Sequence, residues 1–188
     1  MESLLYLDQK LKNSIINSEI LLSGCKLIHK SIEIDDKNYL PFYYHLGTQF
    51  KAKNVIQIGS KLGLIGYCYM QSCKDVEIWN LIDNFDFCKS FVESNLNQFK
   101  KIKVNYSNKK DFENVNADLA FLTEKSEDKL ENIHNLNYLW DNLNDKGLLI
   151  VDYIHDEAMS QAFDEFCRVK NKIGHKLKTR YGVGLIYR

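Results

Sequence analysis

A chain of 188 residues with 45% hydrophobic and 27% charged side chains has the size and balance of one globular domain with a real core. Its 25 basic and 25 acidic residues cancel, and only three of the bases are arginines (Arg168, Arg180, Arg188). That excludes a global field for nucleic acid or acidic membrane and leaves few guanidinium forks for reading a duplex.

The N-terminus places Glu2 and Asp8 among its leucines with no basic leader, so no signal peptide is expected. No apolar run reaches the roughly 20 residues of a membrane span. Leu4, Leu7, Leu11, Ile15 and Leu22 recur at about helical spacing, which predicts an amphipathic helix within an N-terminal segment, 1–40, that packs on the domain or serves as a lid. Pro41 suits the first turn of a second helix, about 41–51. Residues 41–188 then read as one Rossmann-like domain. Val55–Ile58 is an apolar strand that runs into three glycines, Gly59, Gly63 and Gly66. Val76–Ile82 is a second strand ending at Asp83. Cys88, Phe91, Val92, Leu96 and Phe99 form a helical stripe. Ile102, Val104 and Tyr106 alternate as a third strand, and Ala117–Leu122 is a short fourth. Ile133, Leu136, Leu139, Trp140 and Leu143 mark a helix with Gly147 as its expected stop. Leu148–Val151 is a continuous apolar run, as in a central parallel strand. Ala158, Ala162, Phe163, Phe166 and Val169 give the next helix, and Leu177–Arg188 reads as two strands turning near Gly182. Strand–helix alternation of this kind predicts an α/β, Rossmann-like three-layer sandwich with a mostly parallel seven-stranded sheet and a C-terminal antiparallel strand.

The five cysteines, Cys25, Cys68, Cys73, Cys88 and Cys167, are an odd set without a CxxC pair. Free thiols in a reducing cytoplasm are expected, with neither a disulfide framework nor a zinc knuckle. Cys68 and Cys73 fall in the first crossover helix and read as core. The histidines are scattered and suggest no metal set. The glycines follow Gly-x-x-x-Gly-x-x-Gly spacing, which is not the dinucleotide fingerprint, and no Gly-Lys-Ser/Thr follows for a phosphate loop. A strand that breaks into such a turn before a helix brings backbone N–H groups close to a ligand. The bland alternative is a tight turn that binds nothing. Asp152-Tyr153-Ile154-His155-Asp156 is the one cluster with acid–base potential, in which His155 would deprotonate a substrate and Asp152 or Asp156 would orient it. The commoner use of such a loop is to cap the following helix, with Asp156 as N-cap. Tyr39, Phe42, Tyr43 and Tyr44 read as core or interface, in a region that can also roof a site.

With these residues in place, the chain over about 40–188 resembles a class I S-adenosylmethionine-dependent methyltransferase, closest to the small O-methyltransferase type. The resemblance implies S-adenosylmethionine as cofactor. Gln57, Gly59, Ser60 and Gly63 stand at the cofactor motif, Asp83 at the ribose-binding acid, and Asp111-Phe112 at the adenine contact. It places Asp152 at the substrate edge, where Asp152 and His155 are the expected acid–base pair, and the terminal Thr179–Ile186 stretch in the closing hairpin. Two departures stand out. Gln57 replaces the acid that precedes the glycines and cannot counter an ammonium group. Lys61 replaces a glycine and sets a cation beside a sulfonium ligand. A metal is not expected, because only Asp152 and Glu124 stand near the positions used by metal-dependent relatives. The implied activity is methyl transfer to a small-molecule or macromolecular acceptor, with no nucleic-acid or membrane partner expected and a homo-oligomer or assembly partner left open. The alternative is a non-catalytic structural or assembly subunit on a degenerate methyltransferase fold.

Overall fold

The computed structural model describes Leu21, Ser23 and residues 39–86, 88–179 and 181–188. The N-terminal helix expected from the leucine spacing lies outside the described residues. Helix α1 spans Tyr39–Gln49, with Pro41 in its first turn. Strand β1 (Asn54–Ile58) leads through a 3-10 turn (Lys61–Gly63) into α2 (Leu64–Ser72). Strand β2 (Ile78–Ile82), α3 (Lys89–Leu96) and β3 (Lys103–Ser107) follow. Then come β4 (Ala117–Leu122), α4 (Lys129–Asp141), β5 (Leu143–Asp152) and α5 (Glu157–Val169). The hairpin β6 (His175–Leu177) and β7 (Val183–Tyr187) closes the described chain.

The seven strands form one sheet in the order β3-β2-β1-β4-β5-β7-β6. Strands β1 to β5 pair in parallel, and β7 runs antiparallel to both β5 and β6. This is the expected α/β sandwich. Successive side chains of a strand point to opposite faces, and both faces are apolar here. On one face Val55, Trp79, Leu81, Leu119, Phe121, Leu148 and Ile150 pack under α1, α2 and α3. On the other, Ile56, Ile58, Ile82, Ala120, Leu122, Leu149 and Val151 pack under α4 and α5. The first face is aromatic: Trp79 and Phe121 stack at 5.7 Å and Tyr69 meets both edge-on. Gly66 lets α2 settle onto β2 and α3, since a Cβ there would lie 3.0 Å from Leu96 and 3.3 Å from Trp79.

Two expectations need correction. Gly147 does not stop a helix. α4 ends at Asp141, where Asn142 follows and its side-chain amide donates to the Tyr138 carbonyl. Gly147 lies inside β5, in a register shift that sets Ala117 against Leu143 and Leu119 against Leu148. A glycine after an apolar stripe reads as a helix stop, but here it lets that excursion fold tightly, because a Cβ would meet Leu143 at 2.7 Å. The terminal hairpin also begins earlier than expected. Its first strand is His175–Leu177, and the second opens at Val183.

Parallel neighbours normally need a crossover of a dozen or more residues, usually a helix. From β3 to β4 the chain crosses β2 and β1 in nine residues, 108–116, without a helix. Asn114 and Asn116 take left-handed φ values of 52° and 51° in this strap, which asparagine tolerates better than most residues. Under it lies a cavity of about 330 Å³ lined by Asn54, Ile78, Asn80, Asn105, Asp111, Phe112, Glu113 and Val115.

Candidate active site at the carboxyl ends of the strands

In open parallel sheets the strand carboxyl ends carry the ligand crevice, and here they gather most of the expected residues. β1 ends at Ile58, and Gly59 turns the chain with φ +85°. Its lack of a side chain is needed twice, because a Cβ there would also lie 2.8 Å from the Glu124 backbone nitrogen. Ser60 follows, then Lys61, Leu62 and Gly63, all with positive φ (46°, 55° and 79°). Two consecutive non-glycine residues in the left-handed region cost on the order of 1–2 kcal/mol each, and strain of this kind concentrates at functional sites.

Asp83 ties this turn to β2. Its Oδ2 accepts the Ser60 N–H at 2.7 Å and its Oδ1 accepts the Asn84 N–H at 2.6 Å. The carboxylate is half-buried, and each oxygen keeps a lone pair for a ligand hydroxyl. Glu124, at the end of β4, is half-buried nearby. Burial first, and the charge of Asp83 second, push its carboxyl above the usual carboxylate range.

Gln57 points inward. Its Nε2 donates to the Gly59 carbonyl at 2.6 Å and to the Thr123 hydroxyl at 3.0 Å, while its Oε1 accepts from Trp79 Nε1 at 3.1 Å. The Thr123 hydroxyl in turn rests against the carbonyls of Ile58 and Gly59. The amide suits this setting better than an acid would, because a carboxylate has no donor to offer Gly59. It is buried in the core and holds the turn from beneath.

At β5 the chemistry differs. Asp152 is fully buried, and each carboxylate oxygen accepts from a phenol: Oδ2 from Tyr39 and Oδ1 from Tyr43. The two tyrosines are four apart on α1, which puts both hydroxyls on one helix face. Burial, followed by the charge of Asp152, holds both phenols well above their ordinary ionisation range, so they remain donors. The rings continue outward. Tyr39 meets Tyr181 edge-on at 5.3 Å, and Tyr181 tilts against Tyr153 at 5.3 Å. Tyr153 has φ +62°, and the Lys61 ammonium lies 4.3 Å from its ring centroid. Burial lowers the tendency of Lys61 to stay protonated, Asp152 and Asp83 oppose that, and Lys125 adds to it.

His155 and Asp156 take other places. His155 is exposed, its N–H donates to the Tyr181 carbonyl at 3.1 Å, and its ring lies on Gly182, where a Cβ would approach Cδ2 to 2.6 Å. Asp156 is the N-cap of α5, accepts from Met159 N–H and pairs with Lys125. Asp111 and Phe112 lie in the strap and line the cavity beneath it, with the Phe112 carbonyl accepting from Tyr138. The structure thus brings Gly59, Ser60, Gly63 and Asp83 together, sets Asp152 under α1, and places Asp111 and Phe112 in a separate wall. Sequence reading missed the roles of Tyr39, Tyr43, Thr123 and Tyr153. The four-residue spacing of the tyrosines was the one available signal. Among the described residues no three His, Cys, Asp or Glu side chains gather as a metal site would need, and Cys68, Cys73, Cys88 and Cys167 form no disulfide. No helix of the described residues is long and apolar enough to cross a membrane.

Comparison with known proteins places this geometry. No family model and no curated protein matches the sequence. Solved structures do match. The methyltransferase PaMTH1 of Podospora anserina, crystallised with SAH, superposes with a TM-score of 0.66 at 13% identity, over 100% of this chain and 94% of that one. An O-methyltransferase of Bacillus cereus in complex with SAH gives 0.61 at 13% identity, with 97% of each chain covered. The O-methyltransferase TomG of Streptomyces achromogenes, involved in tomaymycin synthesis and solved with SAM, gives 0.60 at 12% identity, over 100% of this chain and 89% of that one. The chain has the class I methyltransferase fold, in the form built by small O-methyltransferases.

Proposed function

We propose that the protein transfers a methyl group from S-adenosylmethionine to an acceptor molecule. The observation that carries this reading is the Asp83 carboxylate, fastened by the Ser60 N–H beside the left-handed Gly59–Gly63 turn at the carboxyl ends of β1 and β2. The donor set fits the adenosine half of the cofactor. Asp83 offers lone pairs to two ribose hydroxyls, and glycine at 59 and 63 leaves the backbone bare. Gln57 is committed to Gly59, Thr123 and Trp79, so it takes no part in holding the methionine ammonium.

When bound, S-adenosylmethionine supplies a methyl group already activated on sulfur. The chain's own work is then to align donor and acceptor, an orientation effect. Gly59, Ser60, Gly63 and Asp83 would hold the cofactor. The tyrosine ladder 39, 181, 153 forms the wall on the β5 side, where the acceptor would lie. Asp152 is a positioning residue in this scheme, since both its oxygens accept from the phenols that α1 brings. His155, exposed on the loop after β5, is the group placed to take a proton from an acceptor oxygen or nitrogen that ionises poorly. Asp111 and Phe112 belong to the strap and are left out of the cofactor contacts.

Calorimetric titration with S-adenosylmethionine and S-adenosylhomocysteine tests the reading. Micromolar binding that Asp83→Ala loses is the expected result. Absence of heat at several temperatures, with melting unchanged at saturating ligand, overturns it. The role of His155 falls if His155→Ala leaves turnover of an identified acceptor unchanged between pH 6 and 8.

A further inference from the structure

The chain is neutral as a whole, but its charge is not evenly spread. Residues 166–178, from the last turn of α5 into β6, hold Arg168, Lys170, Lys172, Lys176 and Lys178 and no acid. Helix α5 starts beside the crevice with Asp156 as its N-cap and runs for 13 residues. Its last residue therefore lies about 20 Å away, on the amino edge of the sheet. There the chain turns sharply. Asn171 takes a left-handed φ of 52°, and the Lys172 N–H donates to the Cys167 carbonyl at 2.9 Å, a helix ending that fixes the turn. Val169 and Ile173 flank it and are the most exposed large hydrophobic side chains among the described residues, at 69% and 79%. Three cations gather on the neighbouring Trp140 ring. The Lys170 and Lys172 ammoniums lie 6.0 and 5.9 Å from its centroid and the Arg188 guanidinium 5.9 Å. The acids of this end of α5 are taken, Asp164 by Lys176 and Glu165 by Lys129. Among the described residues Arg168, Lys170 and Lys172 have no ion-pair partner, and Asp141, next to Trp140 in the chain, is an exposed acid that they outnumber.

We propose that this turn is a docking surface for an anionic phospholipid bilayer, with Val169 and Ile173 entering the interface and Arg168, Lys170 and Lys172 set against the headgroups. It stands independently of the methyl-donor reading. Two aliphatic side chains raised among cations match a surface that is negative outside and apolar beneath. A nucleic acid would call for guanidinium forks or for exposed rings on which bases stack. Here the Arg188 guanidinium is committed to the carbonyls of Trp140 and Leu143, and Trp140 is only 6% exposed. A second copy related by a two-fold axis would set the same cations against one another. Each basic residue near an anionic headgroup layer strengthens binding about fivefold, and burial of the two aliphatic side chains adds to that. The turn lies on the edge of the sheet opposite the crevice, so a docked molecule keeps Gly59–Gly63 and Asp83 facing the aqueous side.

Co-sedimentation of the full chain with vesicles tests this. Phosphatidylcholine vesicles with about 30% phosphatidylserine should carry the protein down at about 0.1 M salt, and phosphatidylcholine alone should not. Raising the salt to about 0.5 M should release most of it. Val169→Ser combined with Ile173→Ser should weaken partitioning at least tenfold, and Arg168→Gln combined with Lys172→Gln about twentyfold. All four side chains are exposed, so both double variants should melt as the wild type does. Wild type that stays in the supernatant with anionic vesicles overturns the proposal, as does either double variant that partitions within threefold of wild type. Micromolar binding of a single-stranded oligonucleotide without vesicle binding would make the turn a nucleic-acid surface instead. Calorimetric binding of S-adenosylmethionine should be the same in wild type and both variants, so failure of the docking proposal and failure of the methyl-donor reading are seen separately.

Discussion

Asp83 and Asp152 both end strands on the same edge of the sheet, and they are held in opposite ways. Asp83 is half-exposed and fixed by two backbone N–H groups, one from the adjoining turn and one from its own neighbour. Asp152 is sealed from solvent and fixed by two phenols from a helix more than a hundred residues earlier in the chain. A carboxylate held by local backbone stays available to a ligand. One held by distant side chains is spent on joining a helix to the sheet. The contrast suggests why one end of the crevice presents hydrogen-bonding groups while the other presents aromatic rings.

The largest test of that contrast is Asp152→Ala. It strands two buried phenols, each costing about 1–3 kcal/mol when unpaired, and should lower the unfolding free energy by about 3 kcal/mol or more, read from urea denaturation. Gln57→Glu should cost about 2 kcal/mol, because a buried carboxylate would face the Gly59 carbonyl without a donor. Burial would raise the folded-state pKa of this glutamate above its unfolded value of about 4.3. The penalty should therefore be absent at acid pH, where the carboxyl is neutral, and complete once the pH exceeds the folded value. A Gln57→Glu protein as stable at pH 7 as the wild type would show that the amide is dispensable. Asp83→Ala should cost only about 1 kcal/mol, since water can replace the carboxylate at the exposed N–H groups. Equal losses from Asp83→Ala and Asp152→Ala would break the comparison. The smallest effect is expected from Lys125→Ala, about 0.5 kcal/mol for a partly exposed pair. The Lys125 ammonium holds the Asp156 carboxyl below its usual range. That contribution is present above the ordinary carboxylate pKa and is lost as pH falls through the lowered folded value. In high salt at pH 7 the wild type should approach the variant.

What the sequence made legible follows from the range of the interactions. β4 was readable to the residue and β1 to within one, because a strand covered on both faces is largely an apolar run bounded by turn residues. The turn residues Gly59, Ser60 and Gly63 and the acid Asp83 were readable too, since the bonds that fix them are local or join adjacent strands. Asp156 as N-cap belongs to the same class. The clamp on Asp152 was not readable, because nothing near residue 152 signals Tyr39 or Tyr43. Nor was the inward turn of Gln57, which depends on Trp79 from β2 and Thr123 after β4. Gly147 misled because a glycine looks alike after a helix and within a bulged strand.

The strap at 108–116 carries a consequence for the architecture as a machine. In the sheet order, β3, β2 and β1 lie on one side of the β1–β4 boundary and β4, β5, β7 and β6 on the other. Among residues 39–188 the strap is the single covalent bridge between the two sides. Across the boundary run the β1–β4 ladder, the tyrosine clamp on Asp152, and the Asp118 carboxylate accepting the N–H groups of Lys53 and Asn54. A cut in the strap would yield two fragments with complementary ladder edges. Residues 59–63 and 83 would fall in one fragment, and 124 and 152 in the other. Reassembly of such a split protein would then be tightened by any molecule that grips both sides of the crevice.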